Sequence, residues 1–190
     1  SDSYYTLMTQ PCLGRYYTRA RIRRHLRPDL PEREAFLEMC DTRFARLREL
    51  EGDYYTVFTE SGLRELAATG VPADLPPELV LPIDLATRRE LLTEFRADIA
   101  AGRVHACVAD MEKLPIPPYL TLTCDPRYGV HLYATQGFIG GIYACNLHIE
   151  ESGIGQAFCD FIRTLPQSRY VWPPDRTLAL LDELLQGLKA

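Results

Sequence analysis

The 190-residue chain has no apolar run approaching the roughly 20 residues needed to cross a bilayer, so a helical membrane span is excluded. Its opening SDSYYTLMTQ lacks the basic stretch and the apolar stretch of a secretory signal, and it lacks an initiator Met. The expectation is a cytoplasmic protein with a trimmed start. Lysine is nearly missing: 19 of 21 basic residues are Arg, a bias that fits genome composition better than function. The six cysteines, Cys12, Cys40, Cys107, Cys124, Cys145 and Cys159, form no CxxC pair. They read as reduced core side chains rather than disulfides or metal ligands. There is no HExxH, no GxSxG, no Walker loop and no GxGxxG between strand and helix, hence no familiar catalytic or nucleotide-binding signature. A net charge of −5 argues against nucleic-acid binding over the whole surface.

What is present is organised around residues 81–124, LPIDLATRRELLTEFRADIAAGRVHACVADMEKLPIPPYLTLTC. Asp84 is placed to cap a helix in which Leu85, Leu91, Leu92, Phe95 and Ile99 recur at helical spacing. Gly102 stands where a left-handed C-terminal cap is wanted. The apolar run 104–109 then reads as a strand, LPIPP as an extended bridge because each proline fixes its own φ, and 119–124 as a second strand. A helix returning directly into strands predicts an α/β fold, a mixed sheet covered by amphipathic helices.

Residues 29–50 predict a helix with Asp29 and Glu32 as a capping box, Pro31 in its first turn and an end at Gly52. Its expected apolar face is Ala35, Phe36, Met39, Cys40, Phe44, Leu47 and Leu50. Residues 54–59 alternate as a strand, 61–70 form a short helix closed by Gly70, and 71–82 make a rigid proline-rich crossing loop. Strands follow at 130–135 and 142–149, antiparallel because their connections are too short for a crossover helix. In 150–166 the apolar residues Ile154, Ala157, Phe158, Phe161, Ile162 and Leu165 give the clearest amphipathic helix, with Glu150 and Glu151 favouring its positive end. Pro173 and Pro174 open a last helix with Leu178, Leu181, Leu185 and Leu188 on one side. That side suits either clamping on the core or dimerisation.

Residues 15–27 gather Arg15, Arg19, Arg21, Arg23, Arg24 and Arg27. They read either as a solvated helix paired with acidic residues or as a connector lying near phosphate backbone. His105, His131 and His148 fall on three predicted strands, a placement that suits hydrogen-bonded structural residues better than a catalytic or metal cluster. Gly137, Gly140 and Gly141 precede a strand rather than a helix N-terminus, so they indicate a hairpin and not a phosphate loop. Tyr119, Tyr133 and Tyr143 lie on adjacent predicted strands, as core or as the lining of a small-molecule pocket.

With these segments in place, the chain resembles the C-terminal, non-DNA-binding part of bacterial helix-turn-helix regulators of the XRE family. The resemblance covers residues 16–185. It rests on the order and spacing of YYTRARIRRHL, EREAFLEMCDTRFARLRE, VFTESGLRELAATGVP, the block beginning LPIDLATRRELL, and IEESGIGQAFCDFIRTLPQSRYV. It implies that residues 1–28 are a basic connector from a helix-turn-helix domain not contained in this sequence, with Arg19, Arg21, Arg23 and Arg24 near DNA. Residues 29–190 would then be one α/β sensor and dimerisation domain. The resemblance carries over no catalytic residue, cofactor or metal. The alternation of strand and helix also resembles, in architecture, phospholipase D-like sensor domains, although the HxK motif of the enzymes of that fold is missing.

The expectation is therefore a cytoplasmic homodimer that senses a small-molecule effector, reaches DNA only through the helix-turn-helix domain and contacts no membrane. Its pocket is placed between the sheet and a covering helix, with His131, Tyr133 and Tyr143 pointing inward and Phe158 and Phe161 as walls. Its dimer face is placed on Leu178, Leu181, Leu185 and Leu188. Two alternatives stand beside it: a small-molecule enzyme of α/β fold using His131 or His148 with a tyrosine, and a purely structural dimerisation module.

Overall fold

In the computed structural model, which describes residues 3–188 other than 74, 76, 77, 119, 128 and 135–144, a strand not expected from the sequence occupies the middle of the sheet. This is β1 (Tyr4–Met8), YYTLM. Tyrosine, threonine and leucine suit a pleated, buried surface, and the run is nearly repeated in β2 (Tyr54–Phe58), YYTVF. The two strands pair in parallel with the copies in register, Tyr4 opposite Tyr54, Tyr5 opposite Tyr55 and Thr6 opposite Thr56. β3 (His105–Val108) continues the parallel half, and the His105 ring stacks 4.4 Å from that of Tyr55. On the other side of β1, β4 (Leu120–Asp125), β5 (Gly129–Ala134) and β6 (Cys145–Ile149) run antiparallel, completing the order β3-β2-β1-β4-β5-β6.

The fold is thus α/β with a mixed sheet, and β4, β5 and β6 are antiparallel as expected. Alternation along each strand sends side chains to two cores. On one face Met8, Tyr54, Phe58, Ala106 and Val108 meet α1 (Arg19–His25), α2 (Arg33–Arg48), α3 (Glu60–Thr69), α4 (Leu85–Ala100) and α6 (Pro174–Gly187). On the other, Tyr5, Val57, Cys107, Leu122, Cys124 and Val130 meet Cys159 and Ile162 of α5 (Ser152–Thr164). Cys12, Cys40, Cys107, Cys124 and Cys159 are buried and free of disulfides. Burial pushes the Cys107 thiol up to about 12, so it behaves as a small apolar side chain. Among the described residues no helix is long and apolar enough to cross a membrane.

Local signals act where the sequence places them. Asp84 caps α4 by accepting from the Thr87 amide at 2.8 Å, and Gly70 and Gly102 both take left-handed φ values of 72° after their helices. A Cβ on Gly70 would sit 2.3 Å from the Ile83 carbonyl oxygen, so that turn admits only glycine.

Three expectations are corrected. The proposed boundary at residue 28 is not a boundary of packing, because β1 is paired along both edges and Leu13, Tyr16, Tyr17, Ile22 and Leu26 lie in the same core as the residues after it. The capping box on α2 does not form: Glu32 adopts φ 53° and the helix begins at Arg33 without a side-chain cap. Its buried face is Leu37, Cys40, Phe44 and Leu47, which leaves Met39 58% exposed. Finally, α5 is rotated by about one position from its apolar stripe, burying Gly155, Cys159 and Ile162 while Phe158 and Phe161 stay 37% and 45% exposed. The reason is a close approach, since a Cβ on Gly155 would lie 2.7 Å from Gly129 Cα and 2.8 Å from the Asp125 carbonyl oxygen.

Two outcomes test this architecture. Removing residues 1–8 is expected to abolish cooperative urea unfolding, whereas a true connector would be dispensable. Gly155→Ala is expected to lower stability by about 1–3 kcal/mol, the usual cost of forcing extra volume into packed backbone, read from the shift in the urea midpoint.

Candidate functional site

The pocket expected between sheet and covering helix is not assembled. His131 and Tyr133 alternate with Val130 and Leu132, and it is Val130 that faces α5. His131 and Tyr133 therefore lie on the opposite face from Phe158 and Phe161. Tyr119, Tyr143 and the hairpin expected at Gly137, Gly140 and Gly141 lie outside the described residues. His131 is brought opposite His148 on β6, their rings stacked at 5.2 Å, with His131 Nε2 2.5 Å from Asn146 Oδ1 and the Tyr133 ring edge-on at 5.4 Å. This forms a half-exposed polar patch on the sheet. Among the described residues no set of three His, Cys, Asp or Glu side chains is placed to hold a metal ion.

The arginines expected near DNA point back into the protein. Arg19 reaches Glu38 at 2.6 Å, Arg23 reaches Glu34 at 3.0 Å, and Arg24 donates to Thr87 at 3.1 Å. Arg21, the least exposed of the four, forks between Glu94 at 2.6 Å and Glu90 at 3.1 Å and also donates to the Tyr16 carbonyl. They fasten α1 to α2 and α4, so the solvated-helix reading describes them.

The leucines expected at a dimer face are used within the chain. Leu181 is fully buried, and Leu185 and Leu188 pack on the same core, while Leu178 is half-buried. Burial of Leu180 and Leu181 directs this face inward, and ion pairs from Arg96 to Asp182 and from Arg64 to Glu183, each at 2.8 Å, accompany it on the outer side.

The site with the clearest unmet chemistry lies elsewhere, between α1, the crossing loop and α4. Thr18 caps α1, and Ile22, His25 and Leu26 form its inward stripe. The loop is laced to the end of this helix: Leu81 donates its amide to the His25 carbonyl at 2.7 Å, and Arg27 to the Leu79 carbonyl at 3.0 Å. Between them is a narrow cavity of about 20 Å³ lined by Tyr17, Ile22, Val80, Ile83 and Leu91. His25 is the polar group of that lining with an unmet need. It is only 8% exposed, and its Nε2 makes no hydrogen bond among the described residues. Asp84 Oδ2 stands 3.4 Å away and also accepts from the Thr87 hydroxyl at 2.9 Å. In the sequence His25 is masked by the arginine run it follows; its spacing from Ile22, on the inward side of a short helix, is the signal that could have found it.

Burial pushes the His25 imidazole below its ordinary value of 6.5; the Asp84 carboxylate opposes this and Arg24 adds to it. The Thr87 amide in turn holds the Asp84 carboxyl below the usual carboxylate range. On acidification the unfolded chain takes up the His25 proton first. This contribution is complete above about pH 6.5 and is lost as pH falls toward the lower folded value. Chemical denaturation at pH 7 and pH 5 is expected to show a smaller acid-induced loss of stability in His25→Gln than in the unaltered chain. The chain matches no family model, no curated protein and no solved structure.

Proposed function

We propose that this is the effector-sensing domain of an XRE-type transcriptional regulator, a non-catalytic cytoplasmic module that binds a small molecule and passes the event to the segment joining it to a helix-turn-helix unit. The ordered sequence blocks support this reading, and one structural observation carries it. The cavity beside the buried His25 is walled by α1, which the first block of the resemblance, YYTRARIRRHL, covers and which follows the central strand β1. An occupant there favours one seating of α1 over another, which is what coupling between two sites requires. The arginine pairs from α1 to α2 and α4 supply the contacts through which such a shift is shared. Self-association belongs to the same reading, now on a surface other than the α6 leucines; the outer strand β6, with Leu147 49% exposed, is one edge of the sheet among the described residues.

A second reading, a small-molecule enzyme, is favoured by the His131–His148–Tyr133 patch. A thermal-shift screen of metabolites paired with product analysis separates the two. The expected result is a compound that raises the melting temperature without being consumed, and a turnover abolished by His131→Ala or His148→Ala would overturn the proposal. The chain alone is expected to give no sequence-selective gel shift, and any binding it shows should fall steeply with salt. Light scattering tests self-association, and a monomer at high micromolar concentration removes that component.

A further inference from the structure

We infer that the outward stripe of α5, made of Ile154, Phe158 and Phe161, docks on the same stripe of a second copy, the two helices crossing antiparallel about a twofold axis. The inference rests on the self-association in the regulatory reading and gives it a surface.

The stripe is exposed because the helix meets the sheet through its small residues. α5 buries Gly155, Cys159 and Ile162, and a Cβ on Gly155 would lie 2.7 Å from Gly129 Cα, which holds the helix in this rotation. Ile154, Phe158 and Phe161, spaced i, i+4 and i+7, share one side of the helix and stay 39%, 37% and 45% exposed. The other side carries Gln156, Asp160 and Arg163, which are joined to one another: Gln156 and Arg163 both donate to Asp160 Oδ1. The exposed Leu147 of β6 stands opposite Leu132, which packs on the core beneath α5, so Leu147 lies on the same side of the sheet as the stripe.

Apolar area of this kind favours contact with another apolar surface, and its arrangement selects a second copy. The stripe is symmetric on reversal, since Ile154 and Phe161 are equally distant from its midpoint between Ala157 and Phe158. An antiparallel crossing at that point sets Ile154 of each copy on Phe161 of the other and brings both Phe158 rings beside the axis. The ends of the helix also differ in charge. Glu150 and Glu151 stand before the first turn and Arg163 in the last, all exposed. Reversal therefore brings the acidic end of each helix to the basic end of the other, whereas a parallel crossing would oppose like charges. The carboxylates of Glu150, Glu151 and Asp160 also disfavour a bilayer surface, where Lys and Arg would be wanted on the polar face.

Size sets the strength. A 13-residue helix is about 20 Å long, which gives less than the roughly 800 Å² per copy of a standard interface. The association is accordingly weak, in the micromolar range.

The test is sedimentation equilibrium of the chain across micromolar concentrations, where a reversible monomer–dimer equilibrium is expected. Phe158→Glu places two carboxylates at the axis and should weaken the dimer by roughly tenfold or more. Its urea midpoint should stay close to that of the unaltered chain, because Phe158 is outside the core. Ala157→Cys should cross-link copies on mild oxidation, whereas Gln156→Cys, on the far side of the same helix, should not. A monomer throughout, a dimer indifferent to Phe158→Glu, or equal cross-linking at the two positions would overturn the inference. So would binding to phosphatidylcholine–phosphatidylglycerol vesicles, lost in Phe158→Glu, by a chain that stays monomeric. A dimer indifferent to Phe158→Glu removes this surface and leaves the regulatory reading in place. A dimer weakened by Phe158→Glu in a chain that no metabolite stabilises keeps the surface and removes the sensing.

Discussion

The double pairing of β1 is the constraint on which the rest of the molecule depends. This strand is parallel to β2 along one edge and antiparallel to β4 along the other, so it is the seam between the two halves of the sheet. Its backbone groups can be satisfied only inside the sheet, and its side chains supply both cores, Met8 to one and Tyr5 to the other. The pairing is reinforced from above and below. Tyr5 stacks on Tyr55 at 5.1 Å, the Tyr54 hydroxyl donates to the Cys12 carbonyl at 2.9 Å, and the Cys12 amide donates to Thr56 Oγ1 at 3.2 Å. Arg163 of α5 then donates to the Tyr5 hydroxyl at 2.5 Å, so the helix on the second face is also referred to β1.

The helix after β1 inherits its position from the strand. α1 has only seven residues, too few to be stable as an isolated helix. Its arginine pairs sit largely at the surface, where each ion pair contributes little. Burial of Ile22 and Leu26 stabilises it more, and that burial places His25 in the wall of a cavity. The arginines orient a helix that apolar packing holds. A basic stretch that looks like a nucleic-acid contact in sequence is, in three dimensions, neutralised by Glu34, Glu38, Glu90 and Glu94.

The two histidine sites differ in what they can do. His131 and His148 are partly solvated, already engaged with Asn146 and Glu150, and lie on a sheet face where water satisfies what the protein does not. His25 is enclosed, with Asp84 Oδ2 3.4 Å from its Nε2.

The sequence alone determined what depends on neighbours a few residues away: the Asp84 cap, the left-handed turns at Gly70 and Gly102, the antiparallel strands of residues 120–149 and the α/β class. Each is written in periodicity, turn chemistry or capping within one segment. The matching triplets at Tyr4 and Tyr54 are also visible in the sequence, but nothing local says that copies fifty residues apart lie side by side. Tertiary structure alone decided the central place of β1, whose Tyr5 lies between Tyr55 and Cys124, residues far from it in the chain. It also decided the rotation of α5, set by the approach of Gly155 to Gly129, and the inward turn of α6, set by the burial of Leu180 and Leu181. The His25 cavity belongs to this second group, since its walls come from α1, a loop and α4 and exist only once the three are packed. Amphipathic patterns state that a face is buried; the contacts between distant segments state which face, and against what.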